Sequence, residues 1–282
     1  MSPQPRFLGV YRESDHSPGH EDNDTAILEA TAASLRDRNA VTRLCRPERI
    51  TDELRSDPQL IFAMCETEPC LAALDRARDA GIPVVNAPDG IRNNFRYRLI
   101  ERLARAPIRF PKSRAIDLAA NPSWPGRAIW LKRYDFHATQ PGDVLFAGSP
   151  EQWAEALARF SGRGFAKLIA QDHAEGDLVK FYGVAERWFR WFYHQDGARE
   201  PSGIDVATLR TSACAAAAAL GLDVFGGDAI IGADGLPTII DLNAWPSFAR
   251  FRTEAAEAIA DLLASRVDAP HGADRAPATK ER

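Results

Sequence analysis

The stretch GLDVFGGDAIIGADGLPTIIDLNAWPSF, residues 221–248, carries the strongest structural signal in this chain. Asp234-Gly235 is typical of a two-residue hairpin, because a type I′ turn needs positive φ at both positions. Counting outward from that turn, Asp228 faces Asp241 across two antiparallel strands. Asn243 shares their side of the sheet, since side chains alternate along a strand.

Two carboxylates that face each other repel, and the apolar flanks of this hairpin predict that both are partly buried. A bound cation would remove that repulsion. Two carboxylates and an amide suit Mg²⁺, which usually keeps phosphate oxygens in its shell and so implies a nucleotide. The alternative is a pair of solvated aspartates at a sheet edge.

The composition excludes several classes of protein. The 282 residues are 45% apolar and 26% charged, which predicts a globular chain of about two domains. The net charge of −4 disfavours a nucleic-acid partner. No apolar run approaches the roughly 20 residues of a membrane span, so we expect a cytoplasmic protein with no membrane partner. The four scattered cysteines predict buried free thiols rather than a zinc site or disulfides.

Upstream of the hairpin, short apolar runs alternate with helical stretches through residues 6–86, which predicts a small parallel α/β sheet. The polar stretch at residues 13–24 follows the first strand, where open α/β sheets place ligand loops. It is a candidate lid or substrate loop. The alternative is a solvated loop in which Asn23 or Asp24 caps the next helix.

The rest of the chain predicts α+β structure. A basic helix at 91–105 and two prolines precede strands at 127–132, 144–146 and 167–171, with a helix at 150–160. Farther on, the pattern predicts strands at 178–184, 187–193, 224–231 and 236–242, and helices at 204–220 and 252–266. The tail beyond Val267 has almost no apolar content and is predicted to be disordered.

At this point three segments resemble the ATP-grasp family. The hairpin with Asp241-Leu242-Asn243 and Ala244-Trp245-Pro246-Ser247-Phe248 is similar to the C-terminal metal site of those enzymes. Two segments upstream of the hairpin stand in the family's order and spacing: AIWLKRYDFHA and AKLIAQDHAEGDLVKFYGV. Residues 86–103 resemble the first helix of that fold. The resemblance spans about residues 83–262. It implies an ATP-grasp fold preceded by a small parallel α/β domain.

The resemblance divides the chain into four parts. These are an N-terminal α/β domain at 1–87, a small ATP-grasp domain at 88–173, a C-terminal ATP-grasp domain with the metal site at 174–266, and a disordered tail at 267–282.

The resemblance also implies roles for individual residues. Lys132 lies at the end of a strand, where the family has the lysine that holds the α and β phosphates. A compact ammonium suits that task. The adenine hinge would be Gln171, Asp172 and His173. Asp177 is assigned to the ribose hydroxyls. Lys180 is assigned to cofactor binding by a parallel in the inositol phosphate kinase branch. Asp228, Asp241 and Asn243 are assigned to Mg²⁺, with Mn²⁺ as a substitute. The alternative for Lys180 is a lysine whose stem lies along an amphipathic strand.

Two departures from the family pattern single out further candidates. Arg96-Tyr97-Arg98 stands where many members have an Asp-Lys pair, and Arg98 is the candidate replacement for that lysine. RYDFHATQPGD stands in place of a glycine-rich phosphate flap, so His137 is a candidate contact for the γ-phosphate. The alternative for His137 is an incidental loop histidine.

Two more arginines are candidates for binding anions. Within RWFRWFY, Arg190 faces the opposite way from Phe189 and Trp191, which predicts that it points into the cleft toward a phosphate or acyl phosphate. Arg250 and Arg252, just beyond the metal strand, are candidates for an anionic substrate. The alternative for this pair is the solvated start of a helix.

The favoured function is an ATP-dependent ligase that joins a small-molecule carboxylate to an amine or a thiol through an acyl phosphate, with ATP and Mg²⁺. Lys132, Arg190 and Arg250 are its candidate catalytic residues, and a homodimer is a candidate assembly whose existence the sequence leaves open. A small-molecule kinase of the inositol phosphate type is the first alternative. A non-catalytic nucleotide-binding subunit is the second.

Overall fold

The computed structural model describes residues 4–14, 21–194 and 203–268, which form three four-stranded sheets with helices packed against them. The first sheet has the order β2-β1-β3-β4, and every neighbouring pair is parallel. Its elements are β1 (Arg6–Val10), α1 (Glu21–Asp37), β2 (Val41–Cys45), α2 (Ile50–Glu53), β3 (Leu60–Ala63), α3 (Glu68–Asp79) and β4 (Val84–Val85). The prediction of a small parallel α/β sheet is confirmed.

Helix α1 begins earlier than the sequence predicts. It starts at Glu21, so that Asn23 and Asp24 lie in its first turn and do not cap it. Asp24 is buried and pairs with Arg12, whose Nε lies 2.9 Å from Asp24 Oδ2. The predicted lid falls mostly on residues 15–20, which lie outside the described residues.

The basic segment forms two helices, α4 (Pro88–Asn93) and α5 (Arg96–Leu103), where the sequence predicts one at 91–105. The chain turns at Phe95, which has extended backbone and serves as the N-cap of α5. Arg96 is the first residue of α5, so its N–H has no partner within the helix, and it donates to the carbonyl of Asp135. That bond links the start of α5 to the loop after the strand that carries Lys132.

The second sheet is antiparallel, with the order β5-β8-β6-β7. It contains β5 (Ser113–Asp117), β6 (Ile129–Arg133), β7 (Val144–Ala147), α6 (Pro150–Gly162) and β8 (Lys167–Asp172). Helix α6 begins after Ser149, whose side chain accepts the N–H of Gln152, with proline in the first turn. The sequence predicts every one of these elements except β5.

The third sheet is also antiparallel, with the order β10-β9-β11-β12. It contains β9 (Asp177–Val184), β10 (Trp188–Tyr193), α7 (Val206–Leu220), β11 (Val224–Ile231) and β12 (Pro237–Ala244), followed by α8 (Arg252–Asp268). Apolar side chains of β9, β11 and β12 pack with those of α7 in one core cluster. The opposite face of this sheet therefore carries Asp228 and its neighbours.

The predicted type I′ turn between β11 and β12 is wrong. Gly232 and Leu236 close a three-residue loop, in which the N–H of Gly235 donates to Gly232 and Gly235 alone has positive φ, at +73°. This loop shifts the pairing by one residue: Ala229 faces Ile239. A β-bulge at Ile240 then shifts it back, so that Asp228 still faces Asp241.

Helix α8 continues through Asp268, two residues into the stretch that the sequence predicts to be disordered. The rest of that stretch, residues 269–282, lies outside the described residues. Among the described residues, no helix is long and apolar enough to cross a membrane. All four cysteines are free, and three are buried.

Candidate active site

A row of charged side chains crosses the third sheet. Lys180 on β9 pairs with Asp228 on β11, which in turn pairs with Asp241 on β12. Residues directly opposite in antiparallel strands share one face, so the three side chains lie side by side. The Nζ of Lys180 lies 2.8 Å from Asp228 Oδ1. The repulsion between the two aspartates is therefore relieved in part within the protein itself.

Asp241 has two cationic neighbours of its own. Arg96, from the first turn of α5, is 3% exposed and places Nη2 3.3 Å from Asp241 Oδ2. Lys132, at the end of β6, also lies close to Asp241. Burial raises the pKa of Asp241, but the charges of Arg96 and Lys132 outweigh that effect and hold it below the usual value.

Lys132 reaches the third sheet from the second. Its Nζ donates to the carbonyl of Ile240, the bulged residue of β12, at 3.2 Å. Burial lowers the pKa of Lys132 to about 8, although Asp241 and Asp228 oppose the shift. A compact ammonium is thus held beside the aspartate pair, with hydrogen-bond donors to spare.

The backbone beyond Asn243 turns sharply and is held from the first sheet. Trp245 and Phe248 have φ of +43° and +51°, a region that residues other than glycine rarely adopt. Arg12, just after β1, donates through Nη2 to the carbonyls of Ala244 and Trp245, at 3.3 and 2.8 Å. Its guanidinium also pairs with Asp24 and Glu66. Residues far apart in sequence therefore fix the turn that follows the candidate metal strand.

The row Lys180, Asp228 and Asp241 lines a cavity of about 420 Å³, and Arg96 and Lys132 lie behind Asp241. The walls of the cavity come from β9, β11 and β12 of the third sheet, from α1 and the ends of β1 and β3 in the N-terminal domain, and from the loop after β6. The residues that line it include Arg12, Asp24, Glu66, His137, Thr139, Lys180, Asp228, Asp241, Asn243 and Ser247. Burial lowers the pKa of His137, whose Nδ1 lies 3.9 Å from Glu66 Oε2.

Arg98 does not reach this cavity, so its prediction as the replacement for the family lysine does not fit the structure. It is exposed and lies on the other side of α5, where its Nε donates to the hydroxyl of Tyr97. Positions 96 and 98 of a helix point in nearly opposite directions. Arg96 is the residue of this segment that contacts Asp241.

Arg190 and Arg250 lie outside the cavity as well. Arg190 pairs with Tyr182, so it shares a face with Lys180 as the alternation predicts, but its Nη2 lies 2.7 Å from Glu254 Oε2 on α8. Arg250 lies over the ring of Phe192, 4.6 Å from its centroid. Neither guanidinium is directed at the aspartate pair in this structure.

The hinge candidates form a separate group at the end of β8. The N–H groups of Asp172 and His173 donate to the carbonyls of Lys112 and Ala128, so neither amide is available to an adenine ring here. Buried Gln171 donates to Ser113 Oγ, and Asp172 pairs with Arg127. Asp177 is exposed at the start of β9. The structure therefore brings together only part of the predicted nucleotide site.

Sequence reasoning missed Arg96 and the Arg12 cluster. For Arg96 a signal was present, since Arg96, Leu99, Ile100 and Leu103 repeat at helical spacing and all four are buried. For Arg12 there was none, because its partners at 244 and 245 lie more than two hundred residues away along the chain.

Comparison with known proteins gives matches in structure alone. No protein-family model and no curated protein matches the sequence. D-alanine–D-alanine ligase from Bacillus anthracis, complexed with ATP, superposes with a TM-score of 0.71 at 10% identity, over 93% of this chain and 97% of that one. An ATP-grasp RimK domain protein from Sphaerobacter thermophilus gives 0.67 at 18% identity, over 92% and 99%.

A third similar structure is the ATP-grasp ligase PsnB complexed with minimal precursor, Mg and ADP. It gives a TM-score of 0.66 at 18% identity, over 93% of this chain and 98% of that one. All three similarities extend over nearly the whole of both chains, the first sheet included.

Proposed function

We propose, from the ATP-grasp fold that this chain adopts, that it is an ATP-dependent ligase. It would join a small-molecule carboxylate to an amine or a thiol through an acyl phosphate. The observation that carries the proposal is the row Lys180, Asp228 and Asp241, with Arg96 and Lys132 beside it. Five charged groups from four strands and a helix cluster together, and Lys180, Asp228 and Asp241 among them line one cavity, which a purely structural role does not require.

The charges and free donors of this cluster suit a nucleotide triphosphate with a divalent cation. Arg96 Nη1 is buried and has no hydrogen-bond partner among the described residues. Lys132 Nζ, with three N–H donors, has one acceptor there, the carbonyl of Ile240. Both are cationic groups that phosphate oxygens would satisfy. Asp228, Asp241 and Asn243 supply the oxygen ligands that Mg²⁺ prefers.

In the proposed reaction, a substrate carboxylate oxygen attacks the γ-phosphorus of ATP, and the bond to the β-phosphate oxygen breaks to release ADP. The amine or thiol then attacks the acyl carbon, and phosphate leaves with its bonding electron pair. Lys132 and Arg96 hold the phosphate oxygens in line, which is most of what phosphoryl transfer requires of a protein. Asp228, Asp241 and Asn243 would hold Mg²⁺, which would supply positive charge beside the phosphates.

The mixed charge of the cavity lining disfavours the kinase alternative. A polyphosphorylated acceptor needs a strongly basic cleft, whereas Asp24 and Glu66 line this one. Arg98 and its basic neighbours on α5 face another surface. A carboxylate and an amine, each carrying one charge, are the better fit to walls of mixed sign.

Product analysis tests the proposal. The protein would be incubated with ATP, Mg²⁺ and pools of small carboxylic acids and amines or thiols, and ADP and free phosphate would be followed together. A ligase releases phosphate in step with ADP only when an acid and a nucleophile are both present. ADP without free phosphate would indicate the kinase. Nucleotide binding with no turnover on any pool would contradict both enzymatic assignments.

ATP affinity is expected to fall as the pH rises through about 8, because Lys132 then loses its proton. The charged form binds phosphate and exists below that pH, and Asp241, Asp228 and Arg96 are the charges that face it. Between pH 7 and 9, the Kd for a non-hydrolysable ATP analogue should rise about tenfold.

The Lys132→Arg variant is the control for this pH dependence, since a guanidinium stays charged throughout the range. Its Kd should remain flat between pH 7 and 9, whatever its absolute value. A wild-type Kd that does not change with pH would remove Lys132 from phosphate binding.

A further inference from the structure

The basic segment that follows α4 is far more charged than the chain around it. Residues 92–114 hold one acidic residue, Glu101, and eight basic ones, whereas the whole chain has 35 basic and 39 acidic residues. The eight are Arg92, Arg96, Arg98, Arg102, Arg105, Arg109, Lys112 and Arg114. The proposed reaction uses Arg96 alone.

Besides Arg96, two of these eight cations form ion pairs with acidic residues. Arg92 pairs with Glu68 and Asp75, and Arg109 pairs with Asp234. The other five form no ion pair with any described residue. Three of those five, Arg98, Arg102 and Arg105, are exposed and stand close together.

These three arginines, together with Glu101, line one wall of a groove between α5 and α7, with a volume of about 800 Å³. The opposite wall is apolar and flat: it consists of Ala215, Ala218 and Ala219, one helical turn of small side chains. Asn93 also lines the groove, and its buried amide donates to the carbonyl of Leu220. The groove thus offers close approach to a backbone on one side and, on the other, a wall whose three arginines outnumber its one glutamate.

We propose that this groove docks an acidic peptide segment of a partner protein. Arg98 and Arg102 stand about 6 Å apart along the axis of α5, which suits carboxylates spaced along a chain. The alanine wall offers no side-chain hydrogen-bond donors, which a compact phosphate ligand would need on several sides. Charge complementarity of this kind speeds encounter and selects the partner. The inference is independent of the proposed reaction.

A binding measurement tests the proposal. A short fluorescein-labelled peptide of alternating glutamate and alanine would be titrated with the full chain, and fluorescence anisotropy would be followed. The double variant Arg102→Glu/Arg105→Glu should weaken binding about tenfold or more. Because both side chains are exposed, the variant should fold normally, and circular dichroism would check this.

The matched control is Arg55→Glu/Arg76→Glu, which makes the same charge change at two exposed arginines outside the groove. It should bind the peptide within about twofold of the wild type. Equal weakening in both double variants would mean attraction to net charge and would overturn the proposal. So would failure of the peptide to bind the wild type. Inorganic triphosphate that binds through Arg102 and Arg105 and displaces the peptide would instead indicate a small-anion site, and would also overturn it.

Discussion

The Asp241→Asn variant is expected to lose nearly all ATP-dependent turnover, with kcat reduced about 10²–10³-fold. Asp241 is the proposed Mg²⁺ ligand that also faces Asp228 and contacts Arg96. An amide keeps the shape of the side chain but removes the charge that would hold the metal ion. The measurement is the rate of ADP release with saturating ATP and Mg²⁺, on the substrate pool that supports wild-type turnover.

Asp234→Asn is the matched control, because it makes the same substitution in the same hairpin at an exposed loop position. Its turnover should stay close to wild type. If Asp241→Asn retained full activity while Asp234→Asn lost it, the aspartate row would not be the catalytic centre. Thermal unfolding of both variants would separate loss of chemistry from loss of fold.

The Arg96→Met variant is expected to lower the free energy of unfolding by about 3 kcal/mol and to weaken ATP binding strongly. Arg96 is 3% exposed and lies against the partly buried Asp241, so its removal leaves that carboxylate short of one cation. Urea denaturation would measure the stability. Calorimetric titration with a non-hydrolysable ATP analogue would measure the affinity.

Arg98→Met provides the comparison for that experiment, since it makes the same change two residues along the same helix. Arg98 is exposed, and its guanidinium interacts with Tyr97, through a hydrogen bond to the hydroxyl and by lying over the ring. We expect its stability to stay within about 0.5 kcal/mol of wild type and its ATP affinity to be unchanged. Equal effects at both positions would contradict the assignment of Arg96 to the site.

The pairing of Asp228 with Asp241 was predictable from the sequence, although the predicted turn is too short by one residue and the bulge that compensates for it was not predicted. The real loop is one residue longer than a type I′ turn, and the bulge at Ile240 restores the register. Local turn propensity identifies a hairpin at Asp234-Gly235 but does not detect a bulge, which depends on packing against other elements. Here the bulged carbonyl meets Lys132 from a different sheet.

The two-residue difference between Arg96 and Arg98 shows where a motif comparison is weak. Resemblance to a family locates a segment, but the side that each residue faces depends on where the helix begins. Helical periodicity of Leu99, Ile100 and Leu103 points to Arg96, and the structure agrees. The hinge amides at 172 and 173 could not be judged from sequence, because their bonds run to neighbouring strands.

The guanidinium of Arg12 has a consequence for engineering. It links the first sheet to the backbone just beyond Asn243 and meets Asp24 and Glu66 on the way. Exchanging the N-terminal third of this chain for that of a distant homologue would therefore remove Arg12, Asp24 and Glu66 and leave the carbonyls of Ala244 and Trp245 without their donor. Such a chimera should regain a well-formed catalytic centre only if the donor segment brings an arginine at the same place, together with both acidic neighbours.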